Sequence, residues 1–362
     1  MQLRNALVSL GFACALGAAG SWTADGSAEL GTVHTSDTAK NSPCGARPTL
    51  VGATPFHWFA APVEDADALE QWCRGVGIPV IAGPALEDAV TPRLQDLVVI
   101  SWNAHLADGQ LTDLIADLRA GRLTNGEPVE HFVLLLQELY RRGDDVPAFA
   151  ANARSAYAIK ARNPNAPDAH DYAAALGLSV AYVPSMRNGH QMSEDRGNAI
   201  MSTEPLRDLF AFELPFERQR RVAAGAAIVV DTDDGPQQLH LVDAHLEPLA
   251  SPSALWLFRN PRRRQIAALL DLVQQPRFER DSVGTVLGGD FNTIQGGARE
   301  DAYRRARTWS RSLGVEDTRS THLLGRLDYI FARLAPGWHV DTTRVPQRYG
   351  SDHHPVLARF RR

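Results

Sequence analysis

Cysteine is scarce in this chain of 362 residues, which holds only Cys14, Cys44 and Cys73. None of them lies near the polar motifs described below, which argues against a cysteine-ligated zinc site there. Cleavage of an N-terminal signal peptide would remove Cys14 and leave Cys44 and Cys73. In an oxidising compartment, a disulfide could join these two. A reduced pair is the alternative, and the sequence does not decide between the two.

A long apolar run is also missing. The run from Ala6 to Ala19 follows Arg4 and has the length of a secretory signal, but it is short for a membrane span. We therefore expect a signal peptide over residues 1–20, a flexible polar leader over 21–42, no stable membrane span, and a periplasmic or secreted protein. A buried N-terminal helix is the alternative, although no amphipathic pattern supports it.

The chain lacks a strong net charge, since its formal value is -5 at pH 7. It therefore has no global attraction for nucleic acid, but a local basic face could still hold a polyanion. Its 44% hydrophobic and 22% charged residues are typical of a globular protein. We expect a monomer.

Short apolar runs alternate with helical patterns from about residue 97, which predicts an α/β or α+β domain over 97–362. Residues 43–96 are expected to form an N-terminal extension packed on it. The predicted strands are 97–102, 132–138, 226–232, 238–246, 285–291, 326–332 and 355–360. Asp234-Gly235 lies between the third and fourth of these strands and predicts an antiparallel hairpin.

Two helices are indicated by apolar residues at helical spacing, one around Leu111–Leu118 and one around Ile266–Val273. The second has a start signal in Asn260 and Pro261. Arg262, Arg263 and Arg264 follow, where their charge opposes the helix dipole. They are expected either to bind a surface anion or to lie on a solvated face.

Polar residues collect at the ends of the predicted strands. Asn103 and Glu138 end the first two strands, and Asp290 and Asn292 follow the glycines of "LGGDFNT". Side chains two apart on a strand face the same way, so Asp290 and Asn292 can converge on one point. Such a pair is a weak signal of a functional site when it stands alone, because Asp and Asn often form turns.

The order of these motifs along residues 97–361 is informative. The segments are "SWNAHL", "LLLQEL", "VDAHLEP", "LGGDFNT", "RLDYIF" and "GSDHHPV". This set is similar to the deoxyribonuclease I-like endonuclease/exonuclease/phosphatase superfamily, and "YVPSMRNG" and "DRGNAIMST" resemble its secreted bacterial members. The resemblance implies a four-layer α/β/β/α sandwich of two mostly antiparallel sheets flanked by helices, and divalent-metal phosphoester hydrolysis.

The resemblance also implies a metal site. Mg²⁺ prefers oxygen ligands and keeps several waters, so Glu138 and Asp352, with Asn103 nearby, would suffice to hold it. Mn²⁺ is the expected substitute. Zinc is less favoured, because the histidines lack helical or finger spacing.

The remaining roles follow from the same resemblance. His353 would act beside the scissile phosphate, oriented by the Asp328 carboxylate, either in proton transfer or in electrostatic stabilisation of the transition state. Asp290 would position or deprotonate the attacking water. Asn292 and His245 would donate hydrogen bonds to phosphoryl oxygens. His105 and His354 are expected to be structural or rim residues.

The leading functional hypothesis is an exported, metal-dependent phosphodiesterase that uses in-line water attack on a phosphoester substrate, with a nuclease acting on nucleic acid as one form. A phosphatase or phospholipase-type enzyme acting on inositol phosphates or sphingomyelin-like lipids is the alternative within the fold. The sequence shows no long aromatic hairpin for lipid insertion. A non-catalytic binding domain is a third hypothesis, but it would predict decay of the reactive set.

Overall fold

The computed structural model describes residues 56–60, 62–83, 90–148, 156–157, 166–188, 193–248, 261–294 and 299–362. The predicted signal peptide, the leader, Cys44 and the Asn260 cap lie outside these ranges. Within them, no helix is long and apolar enough to cross a membrane.

Fifteen strands form two sheets in the described part of the chain. In chain order they are β1 (Phe56–Phe59), β2 (Val80–Ala82), β3 (Val98–Asn103), β4 (Phe132–Arg142), β5 (Ala156–Tyr157), β6 (Ser179–Asn188), β7 (Glu194–Ser202), β8 (Arg207–Glu213), β9 (Val222–Thr232), β10 (Gly235–His245), β11 (Ser282–Asp290), β12 (Leu313–Glu316), β13 (Asp328–Leu334), β14 (His339–Arg344) and β15 (Val356–Arg361).

The strand order defines a six-stranded sheet, β1-β8-β9-β10-β11-β13, and a nine-stranded sheet, β12-β14-β15-β3-β4-β7-β6-β2 with β5 beside β6. Both sheets are mixed, and antiparallel pairings are in the majority. The predicted hairpin is confirmed, since Gly235 pairs with Thr232 where β9 turns into β10. All seven predicted strands are present.

The described residues include five helices: α1 (Ala66–Cys73), α2 (Leu111–Arg119), α3 (Ala169–Leu176), α4 (Pro261–Val273) and α5 (Asp301–Trp309). One apolar cluster lies between the sheets, a second joins α2 and α3 to the nine-stranded sheet, and a third joins α4 and α5 to the six-stranded sheet. The α/β/β/α sandwich is thus confirmed. The apolar stripes of α2 and α4 predicted from the sequence are buried.

Segments before residue 97 are built into both sheets. β1 pairs in parallel with β8 at the edge of the six-stranded sheet, and β2 pairs with β6 at the edge of the nine-stranded sheet. Cys73 at the end of α1 is disulfide-bonded, and its partner lies outside the described residues. The Cys44–Cys73 pairing and the boundary at residue 97 therefore stay predictions.

The three arginines at the start of α4 do not share one environment. Arg262 is buried and donates to both carboxylate oxygens of Glu300, at 2.8 and 2.9 Å. Arg264 bonds the Asp65 carboxylate at 2.6 Å, whereas Arg263 is largely exposed. Neither predicted environment holds for Arg262, because an ion pair with Glu300 compensates its burial between α4 and α5.

Candidate active site

Three of the predicted catalytic residues lie side by side on neighbouring strands. His245 ends β10 and is paired with Asp290 at the end of β11, and Asp290 is paired in turn with Asp328 at the start of β13. They meet at one edge of the sheet because β10 and β11 are parallel and end there, whereas β13 is antiparallel to β11 and begins there. All three side chains are buried.

Asp290 is the centre of this group. Its Oδ2 accepts a hydrogen bond from Asn103 Nδ2 at 3.0 Å and lies 3.4 Å from His245 Nε2 and 3.8 Å from His353 Nε2. The backbone N–H of Asn292 donates to Oδ1 at 2.8 Å. A single carboxylate therefore joins both sheets, because Asn103 belongs to β3 of the nine-stranded sheet.

His353 is held in place by contacts of both its side chain and its backbone. Its Nδ1 lies 2.8 Å from Asp328 Oδ2, and its backbone N–H donates to Ser351 Oγ at 3.0 Å. The Ser351 hydroxyl donates to the Asn103 carbonyl at 2.7 Å, and Trp102 Nε1 donates to the His353 carbonyl at 3.2 Å. The loop before β15 is thus tied to the end of β3, and the imidazole is oriented by Asp328.

The protonation states of the site follow from this arrangement. Burial alone would lower the pKa of His353, but the carboxylates of Asp328, Asp290 and Asp352 outweigh it and raise that pKa. Burial, with Asp328 adding to it, raises the pKa of Asp290 against the opposing charge of His353. Below the folded pKa of His353, the imidazole carries a positive charge next to the Asp290 carboxyl group, whose own pKa is raised.

His245 has the opposite charge preference. Burial and the positive charges of Arg221, Arg196 and His353 lower its pKa well below the usual value. At neutral pH the ring is therefore uncharged and carries one N–H donor. Such a ring suits hydrogen-bond donation rather than charge stabilisation.

Each of the two glycines in "LGGDFNT" stands where a side chain would collide with a different neighbour. A Cβ on Gly288 would lie 2.6 Å from Leu135 Cδ1 of the opposite sheet. A Cβ on Gly289, which has φ of +144°, would lie 1.8 Å from the carbonyl oxygen of Ala244. Only glycine allows this close approach beside Asp290.

Backbone strain collects around the same rim. Glu138 adopts φ of +54° at an irregularity in the β4–β7 ladder, and Asn292 adopts φ of +50° just after β11. His105 also has a positive φ, of +47°. Non-glycine residues in this region are uncommon and concentrate at functional sites.

Glu138 and Asn292 make contacts within the protein that their predicted roles, metal binding and hydrogen bonding to phosphoryl oxygens, did not include. Glu138 lies at the same edge as Asn103, since Asn103 pairs with Gln137 across β3 and β4. Its carboxylate is partly exposed, 3.8 Å from Arg196 Nη1. The Asn292 amide donates to the Leu246 carbonyl at 2.9 Å, which ties the ends of β10 and β11 together. One N–H of that amide is thus used within the protein.

Asp352 lies among three imidazoles. His105 Nδ1 is 2.8 Å from its Oδ1, His322 Nε2 is 3.3 Å from its Oδ2, and His353 Nε2 is 3.8 Å from its Oδ1. The His322 and His353 rings are tilted, with centroids 4.7 Å apart. His322 had no signal in the sequence, and His105 was expected to be structural. His354 does have a structural role, because its ring lies 3.0 Å from the Val345 carbonyl and accepts from Arg348.

Two buried arginines also belong to this rim and were not predicted. Arg221 directly precedes β9 and interacts electrostatically with Glu247, Glu138 and Asp290. Burial lowers the pKa of its guanidinium group. Its Nε has no hydrogen-bond partner among the described residues. Together with Arg196, it places buried positive charge beside the carboxylates. The "RQRR" segment was the sequence signal that could have found Arg221.

The donor set fits a divalent cation. The donor atoms of His322, Asp352 and His353 lie within 4.8 Å of one another, as do those of Asp290, Asp328 and His353. The second group is already joined through the His353–Asp328 contact, which leaves Asp352 as the accessible ligand. Asp352 Oδ1 makes no hydrogen bond among the described residues, and its near polar neighbours are the imidazoles of His105 at 2.8 Å and His353 at 3.8 Å. An oxygen of this kind suits an ion.

The site is thus a buried Asp290–His353–Asp328 network at one rim of a four-layer sandwich. The profile of the endonuclease/exonuclease/phosphatase family matches residues 100–353, more than half of the chain. The chain therefore belongs to this family, whose members are phosphoric ester hydrolases that use divalent metals.

Solved structures with a similar fold include family members from Beutenbergia cavernae (18% identity, 73% of this chain and 71% of that chain, TM-score 0.49) and Leptotrichia buccalis (15%, 73% and 99%, TM-score 0.48). The human nocturnin catalytic domain with bound sulfate is another (16%, 75% and 96%, TM-score 0.44). A search of curated proteins found no match.

Proposed function

We propose that the chain is a divalent-metal-dependent phosphodiesterase in which Asp290, Asp328 and His353 perform the hydrolysis. The observation that carries this proposal is the continuous contact from Asp328 through His353 to Asp290, at 2.8 and 3.8 Å. Such a network holds a positive charge and a proton-accepting carboxylate at adjacent positions.

Each residue then has a defined task. Asp290 positions the attacking water and accepts its proton, and Asn103 and His245 orient that carboxylate. His353, held by Asp328, faces the phosphoryl group as an imidazolium and stabilises the charge that develops there. His245, as a neutral ring, supplies an N–H donor for a phosphoryl oxygen. Asn292 fixes the ends of β10 and β11 and keeps one amide N–H for a phosphoryl oxygen.

A divalent cation, when bound, neutralises phosphoryl charge and lowers the repulsion against an oxygen nucleophile. Asp352 would hold it, with Glu138 and Asn103 at the same rim, and Mg²⁺ or Mn²⁺ is the ion that the family resemblance favours. Arg196 and Arg221 support an anionic substrate, because both place positive charge near the reacting groups.

Nucleic acid is the substrate that we propose to test first, although the overall charge of the chain does not favour it. The test is nicking of supercoiled plasmid by the purified protein with Mg²⁺, with Mn²⁺ and with a chelator, alongside His353→Gln. Metal-dependent nicking that the variant loses would support a nuclease. A folded protein that does not nick, but releases phosphate from inositol phosphates or cleaves sphingomyelin, would contradict nuclease activity and retain the hydrolase.

Export belongs to the same proposal. The apolar run after Arg4 supports a signal peptide, and the disulfide at Cys73 is a bond that persists in oxidising compartments. N-terminal sequencing of protein expressed in a bacterial host tests it, with cleavage after Gly20 and recovery from the periplasm or medium as the expected result. An uncleaved protein confined to the cytoplasm would contradict export.

A further inference from the structure

A groove between α4 and α5 lies apart from the catalytic residues. Its volume of about 560 Å³ is within the range of sites that hold small organic molecules. Arg333 of β13 lines the groove and stands five residues along that strand from Asp328, which is about 17 Å in an extended chain. The groove is therefore separate from the rim that holds Asp290 and His353.

Positive charge is in excess on the walls of this groove. Four arginines and two aspartates line it: Arg304, Arg305, Arg311, Arg333, Asp271 and Asp301. The Asp301 carboxylate already accepts a hydrogen bond from Arg304, which lowers the pKa of that carboxyl group. One arginine thus compensates one aspartate, and three further guanidinium groups face the single carboxylate of Asp271.

These three arginines are weakly engaged by the protein. Arg305 and Arg311 are exposed, and neither has a carboxylate within ion-pair distance in the described part of the chain. Arg333 lies 3.8 Å from Glu279 Oε1 and donates to Gln274 Oε1 at the long distance of 3.4 Å. Their guanidinium groups therefore keep donors for a ligand.

The groove also has apolar walls. Leu270 near the end of α4 and Trp309 at the end of α5 line it, and both side chains are more than nine-tenths buried. The indole nitrogen of Trp309 is buried without a hydrogen-bond partner among the described residues. Because a buried tryptophan N–H usually has an acceptor, this donor is left for a group that the chain does not supply.

The combination favours a small amphipathic anion. Guanidinium groups match the oxygens of a phosphate in bidentate geometry, and a dianionic phosphate can use several of them at once. The apolar walls suit a hydrophobic body attached to that phosphate. An extended polyanion such as a nucleic-acid strand fits less well, because Asp271 and Asp301 lie in the same groove.

We propose that the α4–α5 groove binds a phosphate monoester with an apolar or aromatic body, held by Arg305, Arg311 and Arg333 against Leu270 and Trp309. The inference goes beyond the proposed function and does not depend on it. Hydrolysis of a phosphodiester yields a phosphate monoester and an alcohol, so a product of the proposed reaction has the chemistry that this groove recognises.

Calorimetric titration of the metal-free, full-length protein with phenyl phosphate tests the proposal. We expect binding that Arg305→Gln, Arg311→Gln and Arg333→Gln each weaken at least about tenfold, because each substitution removes a charge-assisted hydrogen bond. Inorganic phosphate should bind at least about tenfold more weakly than phenyl phosphate, because it leaves the apolar walls uncovered. Circular dichroism checks that each variant is folded.

Two variants and one resonance locate the binding. Arg207→Gln is the matched control, because Arg207 is an exposed arginine on β8 that does not line the groove. This variant and Asp290→Asn, altered at the catalytic centre, should bind phenyl phosphate as the unaltered protein does. The indole N–H resonance of Trp309, identified by its absence from Trp309→Phe, should shift when phenyl phosphate is added.

Absence of binding at millimolar phenyl phosphate would overturn the inference, as would a Trp309 resonance that does not move. Loss of binding in Asp290→Asn would place the ligand at the catalytic centre instead. Arginines that only compensate the C-terminal ends of α4 and α5 would give variants with a lower Tm but unchanged affinity, which would also overturn it. Equal affinity for inorganic phosphate would contradict the apolar body.

The two proposals fail separately. Binding is measured without metal, so a protein that binds no phenyl phosphate but hydrolyses diesters with Mg²⁺ or Mn²⁺ retains the hydrolase and loses the groove. A protein that binds phenyl phosphate through the groove but hydrolyses no phosphoester retains the groove and loses the hydrolase.

Discussion

Asp328 is a fully buried carboxylate whose Oδ2 contacts His353 and whose Oδ1 has no hydrogen-bond partner among the described residues. Removing the imidazole would leave this charge uncompensated, which is strongly destabilising for a buried pair. The activity of His353→Ala would therefore fall through loss of stability as well as through loss of catalysis, and an activity assay alone would not separate the two effects. Variants that keep the side-chain size separate the two effects.

Asp328→Asn is such a variant. We expect it to fold and to lose about 10²–10⁴-fold in kcat, because the amide no longer holds His353 in its charged form and fixed orientation. The pKa of His353 should fall, since Asp328 is the strongest of the charges that raise it. Steady-state kinetics and histidine NMR titration measure both effects. Unchanged kcat together with a lowered pKa would contradict the role given to the charged imidazole.

Asp243 is a buried carboxyl group beneath the site, where Gln137 donates to its Oδ1 at 2.6 Å. Burial raises its pKa well above the usual value, against the effect of that hydrogen bond. The folded state therefore holds a proton that the unfolded state releases near pH 4. This contribution to stability is full below pH 4 and declines as the pH rises toward the folded pKa.

Asp243→Asn should remove this dependence. We expect the variant to be more stable than the unaltered protein at pH 7 and to show a smaller loss of stability between pH 4 and 7. Urea unfolding at several pH values measures the difference. The exposed turn residue provides the control Asp234→Asn. A variant that is less stable at pH 7 than at pH 4 by the same amount as the unaltered protein would contradict the account.

At the scale of the element, the end of β11 depends on close contact with β10. Gly289 lies where a side chain would meet the Ala244 backbone, one residue before Asp290. Strand pairing here sets the position of the carboxylate. The backbone conformation of one glycine therefore bears directly on the chemistry.

Gly289→Ala should separate β10 from β11 and displace Asp290. We expect a loss of at least about 2 kcal/mol in stability and at least about 100-fold in kcat, because small displacements of reacting groups are costly. Gly126→Ala is the control: its φ is also positive, at +94°, but no atom lies within 4 Å of the added Cβ. Equal effects of the two substitutions would show that backbone strain alone is responsible.

Elements were largely predictable from the sequence because their signals are local. Apolar alternation located the strands, and helical spacing located α2 and α4. The environment of Arg262 was not predictable, because its partner Glu300 is 38 positions away and precedes a different helix. His322 was missed for a related reason: it lies in an irregular segment outside the strands, where no periodic pattern marks the direction of a side chain.

Across the whole molecule, the resemblance in motif order was enough to predict the sandwich. Motif order could not reveal that β1 and β2 are edge strands, since short strands of four and three residues carry little pattern. These strands cover the β8 and β6 edges, and Asp65 bonds Arg264 of α4. The N-terminal segment is thus continuous with the sheets.

A chain that begins at residue 97 should therefore fold poorly. Removal of β1 and β2 exposes the edges of β8 and β6 and takes Phe56 and Trp58 out of the apolar cluster between the sheets, which uncovers the rest of that cluster. We expect a lower Tm and more aggregation than for the full chain, measured by calorimetry and light scattering. A truncated protein with the same Tm and a monomeric profile would show that the catalytic domain is independent of this segment.

Asp290, Asp328 and His353 are proposed to form a metal-dependent phosphoester-hydrolysing centre. The most direct measurement is the rate of bis(p-nitrophenyl) phosphate hydrolysis by the full-length protein and by Asp290→Asn, each with Mn²⁺ and with a chelator. We predict hydrolysis that requires the metal and falls at least about 100-fold in the variant. Hydrolysis that persists in Asp290→Asn, or that survives chelation, would contradict the account.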